Sequence, residues 1–468
     1  MVATGSRSPL LLSDQAWRRA APVSFWLDDP DAPSLLPSLH RPLRTGLAVV
    51  GGGFSGLWTA LLAKAADPGL DVVLIEAERV AWAATGRNGG FCEATLTHGE
   101  ANGRSRFPEE YDELARLGQD NLESIEDFVT ARGIDCGWER TGALSVATSD
   151  WQVEELRGGG GLPEDWLGPE EVRAELDSPT YLAGRWDREG CAIVNPARLA
   201  WGLRDACLDA GVRIFEQTGA LGLERSGRMV EVATTGGKLL ADRVALGTNA
   251  FPSLLRRVRP RVVPVYDHVL VTEPLGAEQL DRVGWSQRQG VSDAGNQFHY
   301  YRLTTDNRIL WGGYDAVYHY GRRVRSAYDQ RPATFRKLSE HFYQTFPQLE
   351  DVGFTHRWGG AIDTCSRFCA FFGPALGARV AYAAGFTGVG VGATRFGAQV
   401  MLDLLGGTET ERTRSRMVRS KPLPFPPEPL GWAVIELTRA SIASADAHEG
   451  RRNAWLRLLD RIGLGFDS

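Results

Sequence analysis

The chain has 468 residues, of which 43% are apolar, 24% charged and 9% aromatic. This composition is ordinary for a soluble globular protein and too apolar for a disordered chain, and the length suits about two or three domains. The net charge of −6 argues against a general binder of nucleic acids or of anionic membranes.

None of the six cysteines forms a Cys-x-x-Cys pair, which argues against a disulfide scaffold and against a zinc knuckle. We therefore expect reduced thiols, a cytoplasmic protein and no metal site. The N-terminus lacks a signal-peptide pattern, because its apolar run at residues 10–12 is short and Asp14 follows closely.

An uncharged segment of 19 residues runs from Thr45 to Ala63, close to the length of a membrane-spanning helix. Five of its residues are glycines, three of them consecutive, which a continuous helix facing lipid would tolerate poorly. We interpret the segment as a strand, a tight turn and a helix, and we predict no membrane span.

This segment also begins the pattern of a nucleotide-binding βαβ unit. Residues 47–50 form an apolar strand, residues 51–56 read Gly-Gly-Gly-Phe-Ser-Gly, and residues 57–63 have a helical composition. A second strand, residues 71–75, is followed by Glu76, which lies 20 residues beyond Gly56. This order and spacing match the G-x-G-x-x-G fingerprint of dinucleotide binding.

Each part of the fingerprint has a physical role. Gly51 permits the tight turn, Gly53 lets the backbone approach a pyrophosphate, and Gly56 lets the helix pack closely on the strand. The helix N-terminus attracts phosphate, and the acid accepts hydrogen bonds from a ribose hydroxyl. The predicted phosphate- and ribose-binding residues are Gly51, Gly53, Phe54, Ser55, Gly56, Glu76 and Ala77.

The next segment favours FAD over NAD. Residues 84–91 read Ala-Thr-Gly-Arg-Asn-Gly-Gly-Phe, a loop rich in backbone donors that follows the adenosine-binding acid. Such a loop can run beneath the pyrophosphate toward a bulky ring, for which an NAD-dependent dehydrogenase has no special need. An NAD-only dehydrogenase is therefore the weakest alternative.

The same loop resembles a known family. Gly-Arg-Asn-Gly-Gly after an N-terminal G-x-G-x-x-G is similar to the D-amino-acid-oxidase-type FAD-dependent oxidoreductases, most of all to the branch of γ-glutamylputrescine oxidase-like and aminophosphonate oxidoreductase-like proteins. The usual sequence of that branch is Gly-Ala-Ser-Gly-Arg-Asn-Gly-Gly. Here residues 83–90 read Ala-Ala-Thr-Gly-Arg-Asn-Gly-Gly, so that Ala83 replaces a glycine and Thr85 replaces a serine.

Further matches follow in the order of that family: Asn195-Pro196 before a helix, the strand at residues 244–250, and the glycine-rich segment 385–391 before the last helix. In the family the last segment faces the flavin pyrimidine, where helix N–H groups stabilise negative charge. The sequence around Cys365 and Cys369 does not match the covalent attachment pattern, so we expect non-covalent FAD. The further FAD contacts that the resemblance implies are Thr85, Gly86, Arg87, Asn88, Gly89, Gly90, Ala220, Thr248, Asn249, Gly385, Gly388, Val389, Gly390 and Val391.

The resemblance implies a fold of mixed class, α/β and α+β. A Rossmann-type FAD-binding domain is expected to carry a substrate (cap) domain built on an antiparallel sheet. The predicted FAD domain is discontinuous, and the cap domain comes from the segments between its parts. The boundaries are 1–44 for an N-terminal extension, 45–105, 195–260 and 355–405 for the FAD domain, 106–194 and 261–354 for the cap, and 406–468 for a helical C-terminal extension.

Two predicted cap strands carry the candidate substrate residues. Alternation along residues 265–270 puts Tyr266 and His268 on one face, and alternation along residues 299–302 puts His299 and Tyr301 on one face. Arg302 is a candidate anchor for a carboxylate. The predicted catalytic set is therefore Tyr266, His268, His299, Tyr301 and Arg302.

The sequence thus predicts an FAD-dependent oxidoreductase that oxidises the C–N bond of a small amine or amino acid, one bearing an anionic group, to an imine. Hydride passes to the flavin, and O2 reoxidises it with release of H2O2. Two alternatives stay open: a dehydrogenase that passes electrons to another acceptor, and a flavin-binding partner subunit without turnover. The expected partners are the small amine and O2, without nucleic acid, and the oligomeric state stays open.

Overall fold

The computed structural model describes residues 16–159, 163–461 and 463–465. Within these residues, none of the helices combines the length and the apolar character that crossing a bilayer requires. The uncharged segment at residues 45–63 is divided between a strand and a helix, as its glycines predict.

The strands, in chain order, are β1 (Leu43–Val50), β2 (Val72–Ile75), β3 (Phe91–Glu93), β4 (Ala143–Ala147), β5 (Trp166–Leu167), β6 (Ala183–Asp187), β7 (Cys191–Ile193), β8 (Arg213–Phe215), β9 (Ala220–Ser226), β10 (Met229–Thr234), β11 (Gly237–Leu246), β12 (Val263–Thr272), β13 (Gly290–Asp293), β14 (His299–Leu303), β15 (Ile309–Gly313), β16 (Val317–Tyr318), β17 (Phe354–Thr364), β18 (Phe371–Ala375) and β19 (Val380–Ala384).

The α-helices are α1 (Phe54–Ala66), α2 (Glu100–Arg106), α3 (Tyr111–Arg132), α4 (Asp150–Gly158), α5 (Pro169–Glu175), α6 (Pro196–Asp209), α7 (Ala277–Val283), α8 (Pro332–Thr345), α9 (Gly390–Gly406), α10 (Glu411–Arg414), α11 (Arg416–Arg419), α12 (Leu430–Ala447) and α13 (Ala454–Arg461).

The first sheet carries the nucleotide-binding unit. Its strand order is β18-β19-β11-β1-β2-β8, with β10 and β9 joined at β11, and β1 pairs in parallel with both β2 and β11. The strand residues from Leu47 to Val50 and from Val72 to Ile75 are all buried, as parallel strands covered on both faces require. Helices α1, α6 and α9 pack around one core on this sheet. The predicted Rossmann-type domain is confirmed.

The second sheet has the strand order β16-β12-β15-β14-β13-β4-β6-β5, and β17 pairs with β12. Its neighbouring strands are antiparallel except for β13 and β4, which are parallel because the chain passes through the first sheet between them. Helix α8 covers this sheet through Phe335, Leu338 and Phe342. The predicted cap sheet is confirmed, with one parallel pair.

One predicted boundary is wrong. Residues 355–364, which we assigned to the FAD domain, form most of β17 and pair with β12 of the cap sheet along their whole length. Alternation within a strand does not say which sheet the strand joins, so the sequence did not indicate that β17 pairs with β12. The chain enters the first sheet only at β18, after residue 370.

The chain ends pack against both sheets. Of the predicted N-terminal extension, residues 1–15 lie outside the described residues, and Leu43 and Arg44 belong to β1. Trp26 is 2% exposed and belongs to the core of the first sheet. The predicted C-terminal helices appear as α10 to α13, and Tyr318 of β16 donates a hydrogen bond to Glu428 just before α12.

Candidate active site

A cavity of about 1910 Å³ extends from the glycine loop of the first sheet to the inner face of the cap sheet. Val50, Gly53 and Glu76 line one end, and Val265, Asp267 and Tyr300 line the other. The first end suits a nucleotide, and the second end meets the cap, where a substrate would enter.

The glycine loop has the geometry that the fingerprint predicts. Gly51 adopts a φ of +109°, in the region that favours glycine, and a Cβ on Gly56 would lie 1.9 Å from the Gly51 carbonyl oxygen. A Cβ on Gly53 would lie 2.8 Å from the Thr85 hydroxyl oxygen, which accepts a hydrogen bond from the Phe54 N–H. Side chains are thus excluded from the surface where a pyrophosphate would lie.

Glu76 closes the nucleotide end of the cavity. Its Oε2 accepts a hydrogen bond from the Gly52 N–H at 2.6 Å, and its Oε1 accepts one from the Glu78 N–H at 3.0 Å. Burial raises the pKa of Glu76, and the backbone donors oppose that effect. The carboxylate is therefore held in position with lone pairs left for ribose hydroxyls.

The Arg-Asn-Gly-Gly loop is ordered by its own side chains. Arg87 donates to the Trp82 carbonyl at 2.9 Å and pairs with Asp329 at 2.6 Å. Asn88 donates from Nδ2 to the Thr85 carbonyl at 2.8 Å, and its Oδ1 accepts from the Gly90 N–H at 2.8 Å. These contacts hold the backbone of the loop along the cavity, where Thr85, Arg87, Asn88 and Gly89 line the wall.

The residues present fit FAD. Ser55 lies at the N-terminus of α1, lines the cavity, and has a buried hydroxyl that finds no hydrogen-bond partner in the described part of the chain. The helix terminus adds free N–H groups for a pyrophosphate, and the cavity continues past it to the cap sheet. A bound dinucleotide with a large ring would satisfy the hydroxyl and occupy both ends.

The segment before α9 forms another wall of the cavity. Gly385 and Gly388 have positive φ angles of 76° and 94°. Asp363 accepts a hydrogen bond from the Gly385 N–H at 2.6 Å, and burial raises the pKa of Asp363 to about 6. This carboxylate therefore fixes the turn that presents the start of α9 to the cavity.

The predicted FAD contacts divide into two groups. Four lie behind the cavity surface and shape the backbone: Gly56, Gly86, Gly90 and Gly385. The others line the cavity: Gly51, Gly53, Phe54, Ser55, Glu76, Ala77, Thr85, Arg87, Asn88, Gly89, Ala220, Thr248, Asn249, Gly388, Val389, Gly390 and Val391.

Asp267 and Tyr300 form a half-buried polar pair at the cap end of the cavity. Tyr300 donates its hydroxyl to Asp267 Oδ2, and Asp267 Oδ1 accepts from the His268 N–H at 2.7 Å and the Gly313 N–H at 3.1 Å. Burial raises the pKa of Asp267 to about 6. Asp267 can therefore be ionised at neutral pH and take up a proton in a mildly acidic range.

Two glycines hold the Tyr300 ring from either side. A Cβ on Gly89 would lie 2.6 Å from Tyr300 Cε2, and a Cβ on Gly312 would lie 2.6 Å from Tyr300 Cζ. Gly89 belongs to the FAD loop and Gly312 to β15 of the cap. The phenol is therefore fixed where the loop meets the cap sheet.

The structure corrects our prediction of which face of β12 meets the cavity. Val265, Asp267 and Val269 line the cavity, whereas His268 lies on the opposite face, with Nε2 3.1 Å from the Tyr328 carbonyl oxygen. Burial lowers the pKa of His268 to about 4. Tyr266 touches the rim of the cavity, but its hydroxyl is engaged with the Arg325 backbone N–H at 3.0 Å.

The other predicted cap residues also lie away from the cavity. His299 is bonded to Asp293 at 2.5 Å and to His341 at 2.9 Å. Tyr301 shares a hydrogen bond of 2.6 Å with the Tyr181 hydroxyl, in the core of the cap. Both point to the side of β14 that packs on α8, so their assignment to the substrate site is wrong.

Arg302 faces the FAD loop from behind. Its Nη1 donates to the Val194 carbonyl at 2.5 Å, and its Nε donates to the Leu303 carbonyl at 3.0 Å. Burial lowers the pKa of Arg302 to about 9. The guanidinium is 1% exposed and bound to backbone oxygens, so the prediction that it anchors a substrate carboxylate is wrong.

The sequence reasoning missed contributions from both chain ends. Ser24 donates to the Gly86 carbonyl at 2.7 Å, and the Trp26 indole donates to the Asn88 carbonyl at 2.8 Å. At the other end, Val434 and Ile442 of α12 and Trp455 of α13 line the outer part of the cavity. The sequence predicted helices in this segment, but it did not indicate what they cover.

Comparisons with known proteins agree with this arrangement. Residues 47–404 match the family DAO, FAD dependent oxidoreductase. The chain is 31% identical over 390 residues to "Gamma-glutamylputrescine oxidoreductase" of Escherichia coli, covering 79% of this chain and 85% of that protein. It is 26% identical over 404 residues to "Probable oxidoreductase OrdL" of Haemophilus influenzae, covering 82% of this chain and 88% of that protein.

Solved structures share the fold at lower identity. Glycine oxidase from Geobacillus kaustophilus superposes with a TM-score of 0.63 at 21% identity, covering 79% of this chain and 96% of that chain. L-α-glycerophosphate oxidase from Mycoplasma pneumoniae with FAD bound superposes with a TM-score of 0.61 at 15% identity, covering 79% of this chain and 97% of that chain. The cofactor is FAD, and the chain belongs to the DAO family of FAD-dependent oxidoreductases.

Proposed function

We propose that the protein oxidises the C–N bond of a small amine to an imine, which water then hydrolyses. The observation that carries this proposal is the Asp267–Tyr300 pair, which faces the same cavity as the FAD loop. The E. coli relative is named for an amine substrate, and a neighbour of similar fold is a glycine oxidase, which supports a C–N bond as the target.

FAD, held by the glycine loop, Glu76 and the Arg-Asn-Gly-Gly loop, would supply the acceptor for a hydride from the carbon that bears the amine, and O2 would be the final electron acceptor, with H2O2 as its product. The amine must be neutral for this step, yet small amines are protonated at neutral pH. Asp267 is the candidate acceptor of that proton, and the Tyr300 hydroxyl, which donates to Asp267, keeps lone pairs for the substrate N–H.

The Arg-Asn-Gly-Gly loop would position the flavin, and the C-terminal helices would exclude water from the outer cavity. Arg87 and Asn88 fix the loop that the flavin would contact, and apolar side chains of α12 and α13 cover the outer cavity. Holding the reacting carbon against the flavin and excluding water would raise the rate by orienting the reactants and by strengthening electrostatic contacts in the site.

An anionic group on the substrate was also expected from the sequence. That expectation depended on Arg302, and its burial behind the FAD loop removes the support. Among the described residues that line the cavity, the arginines are already engaged: Arg87 with Asp329, Arg439 with Glu436, and Arg185 with the Leu156 carbonyl.

A panel of amines tests the proposal. The purified flavoprotein is mixed anaerobically with primary amines, secondary amines and amino acids, and loss of the visible flavin absorption is followed. Bleaching by at least one amine supports the proposal, and subsequent mixing with O2 or with a quinone identifies the acceptor. A flavin that no member of the panel bleaches, while dithionite does, would favour the partner subunit without turnover.

A further inference from the structure

Carboxylates dominate the part of the cavity wall that lies beyond the Asp267–Tyr300 pair. They come from the start of α2, from β3, from the turn after β6 and from β13. They are Glu93, Glu100, Asp187, Glu189 and Asp293. Glu100 is paired with Arg104 and Asp293 is hydrogen-bonded to His299, whereas Glu93, Asp187 and Glu189 have no ion-pair partner among the described residues. The last three give this part of the cavity an excess of negative charge.

Glu93 stands out among these groups. It follows Phe91 by two residues on β3, so both side chains point to the same face of the strand. Phe91 packs edge-on against Tyr300 with ring centroids 5.9 Å apart. Glu93 therefore lies roughly 7 Å further along the strand from the Phe91–Tyr300 contact.

The Glu93 carboxylate has no hydrogen-bond partner within the described part of the chain, although it lines the cavity. Asp187 lies next to it, because Glu93 pairs with Cys191 and the Ala94 N–H donates to the Gly190 carbonyl at 2.8 Å. Burial and the Asp187 charge together raise the pKa of Glu93 to about 7. Among the described residues, no basic side chain forms an ion pair with Glu93 or Asp187.

A separate observation indicates a polar ligand in the same cavity. Thr394 of α9 is 6% exposed and lines the cavity, and its hydroxyl has no hydrogen-bond partner among the residues that the structure describes. Helix α9 packs against β3, where a Cβ on Gly392 would lie 2.2 Å from the Glu93 carbonyl oxygen. An unsatisfied buried hydroxyl costs free energy unless a ligand bonds to it.

We propose that Glu93, with Asp187, binds a second cationic group of the substrate, so that the enzyme selects a free diamine or polyamine over an acylated amine or a monoamine. This inference rests on the proposed function, since it assigns the far end of the same substrate. One amino group would lie at the Asp267–Tyr300 pair for oxidation, and the other ammonium would lie between the Glu93 and Asp187 carboxylates.

Three amines that share the same reacting primary amine but differ at the far end test this assignment: diaminobutane, its monoacetyl derivative and butylamine. Anaerobic flavin reduction gives an apparent Kd and a limiting rate for each amine. We expect the parental enzyme to bind diaminobutane with a lower apparent Kd than the other two amines. Glu93→Gln should lower that preference about 10- to 100-fold, because the contact it removes is charge-assisted, with limiting rates and flavin content little changed.

Glu100→Gln is the matched control. Glu100 lines the same cavity, but its carboxylate is already paired with Arg104 at 2.6 Å, so the selectivity should change little. An equal loss of selectivity in both variants would show that the summed negative charge of the cavity wall, and not Glu93, selects the diamine. This result would overturn the assignment to Glu93.

Other outcomes separate this inference from the proposed function. If monoacetyl diaminobutane or butylamine bleaches the flavin as efficiently as diaminobutane and Glu93→Gln leaves the ratio unchanged, the cation site is refuted while amine oxidation stands. If no amine of any class bleaches the flavin, the proposed function itself fails. A Glu93→Gln variant that slows all three amines alike has a structural defect, and this result too would count against the cation site.

Discussion

Replacing Asp267 by Asn should make the enzyme slower and more stable at the same time. The Asn side chain is isosteric, and its Oδ1 can still accept from the His268 and Gly313 N–H groups. Its Nδ2 can donate to the Tyr300 hydroxyl, which reverses the direction of the hydrogen bond present in the parental enzyme. The fold is therefore retained, and only the proton acceptor is lost.

The stability change follows from the pKa of Asp267, which burial raises from 3.8 to about 6. The folded chain binds this proton more tightly than the unfolded chain, so the contribution to stability is complete below about pH 4 and disappears as the pH rises through about 6. The shift corresponds to at most about 3 kcal/mol of unfolding free energy. Asp267→Asn has no carboxylate to ionise, so at neutral pH the unfolding free energy of the variant should exceed that of the parental enzyme by up to about 3 kcal/mol.

The rate should change in the opposite direction. Loss of a general base lowers the rate of proton-coupled steps about 100- to 10,000-fold, and the acid limb of kcat/KM near pH 6 should disappear with it. Anaerobic stopped-flow measurement of flavin reduction gives the rate, and thermal unfolding at several pH values gives the stability.

Asp363→Asn is the control, because burial also raises the pKa of Asp363 to about 6. Asp363 accepts from the Gly385 N–H at the turn before α9, so its replacement should weaken flavin binding and leave the limiting rate of reduction largely unchanged. Flavin reduction at the parental rate in Asp267→Asn, with the limb near pH 6 intact, would refute the role of Asp267.

Three further sets of variants test the geometry. Gly53→Val should lose flavin and keep the fold, since the valine side chain would enter the pyrophosphate surface beside Thr85. Gly56→Val should unfold the domain, because its Cβ would lie 1.9 Å from a backbone oxygen. Measurements of flavin content and far-UV circular dichroism distinguish the two outcomes. Tyr301→Phe should lower the unfolding free energy by about 1–2 kcal/mol and leave flavin reduction unchanged, and a slower reduction would return this residue to the site. Asp446→Ala should release α12 from the cap, because its carboxylate accepts from Asn296 and Gln297, and should raise the KM more than it lowers kcat; an unchanged KM would contradict this role of the helix.

The nucleotide end of the site was predictable because its signal is local. The spacing from Gly51 to Glu76 encodes strand, turn, helix and acid within one unit, and each part depends on backbone geometry that few residues allow. The Arg-Asn-Gly-Gly loop was predictable for the same reason in the case of Asn88, which bonds to the Ala84 and Thr85 carbonyls, whereas the contacts of Arg87 with Asp329 and the Gly359 carbonyl are long-range.

The substrate end was predicted with the wrong faces. Alternation along β12 and β14 correctly separates two sets of side chains, but it does not say which set faces the cavity, and a choice of the wrong set exchanges every residue. We favoured His268 and Tyr301, which pack against α8 and its surroundings. Arg302 shares a face of β14 with Tyr300, but it is bound to backbone carbonyls behind the FAD loop. Asp267 and Tyr300, one residue away on each strand, line the cavity.

The long-range contacts had no sequence signal. Ser24 and Trp26 reach the FAD loop across 62 residues, and Asp446 reaches the cap across about 150 residues. Such contacts are decided by how separate elements pack, and periodicity within one element carries no information about them. The roles of the chain ends therefore emerged only from the structure.

The most direct test of the central claim is the visible spectrum of the purified protein during anaerobic titration with amines. We expect a yellow protein with one FAD per chain, which acid precipitation releases to the supernatant, and bleaching of that flavin by a small amine. A colourless protein that is reconstituted only by NAD, or a flavin that stays oxidised with every amine, would contradict it.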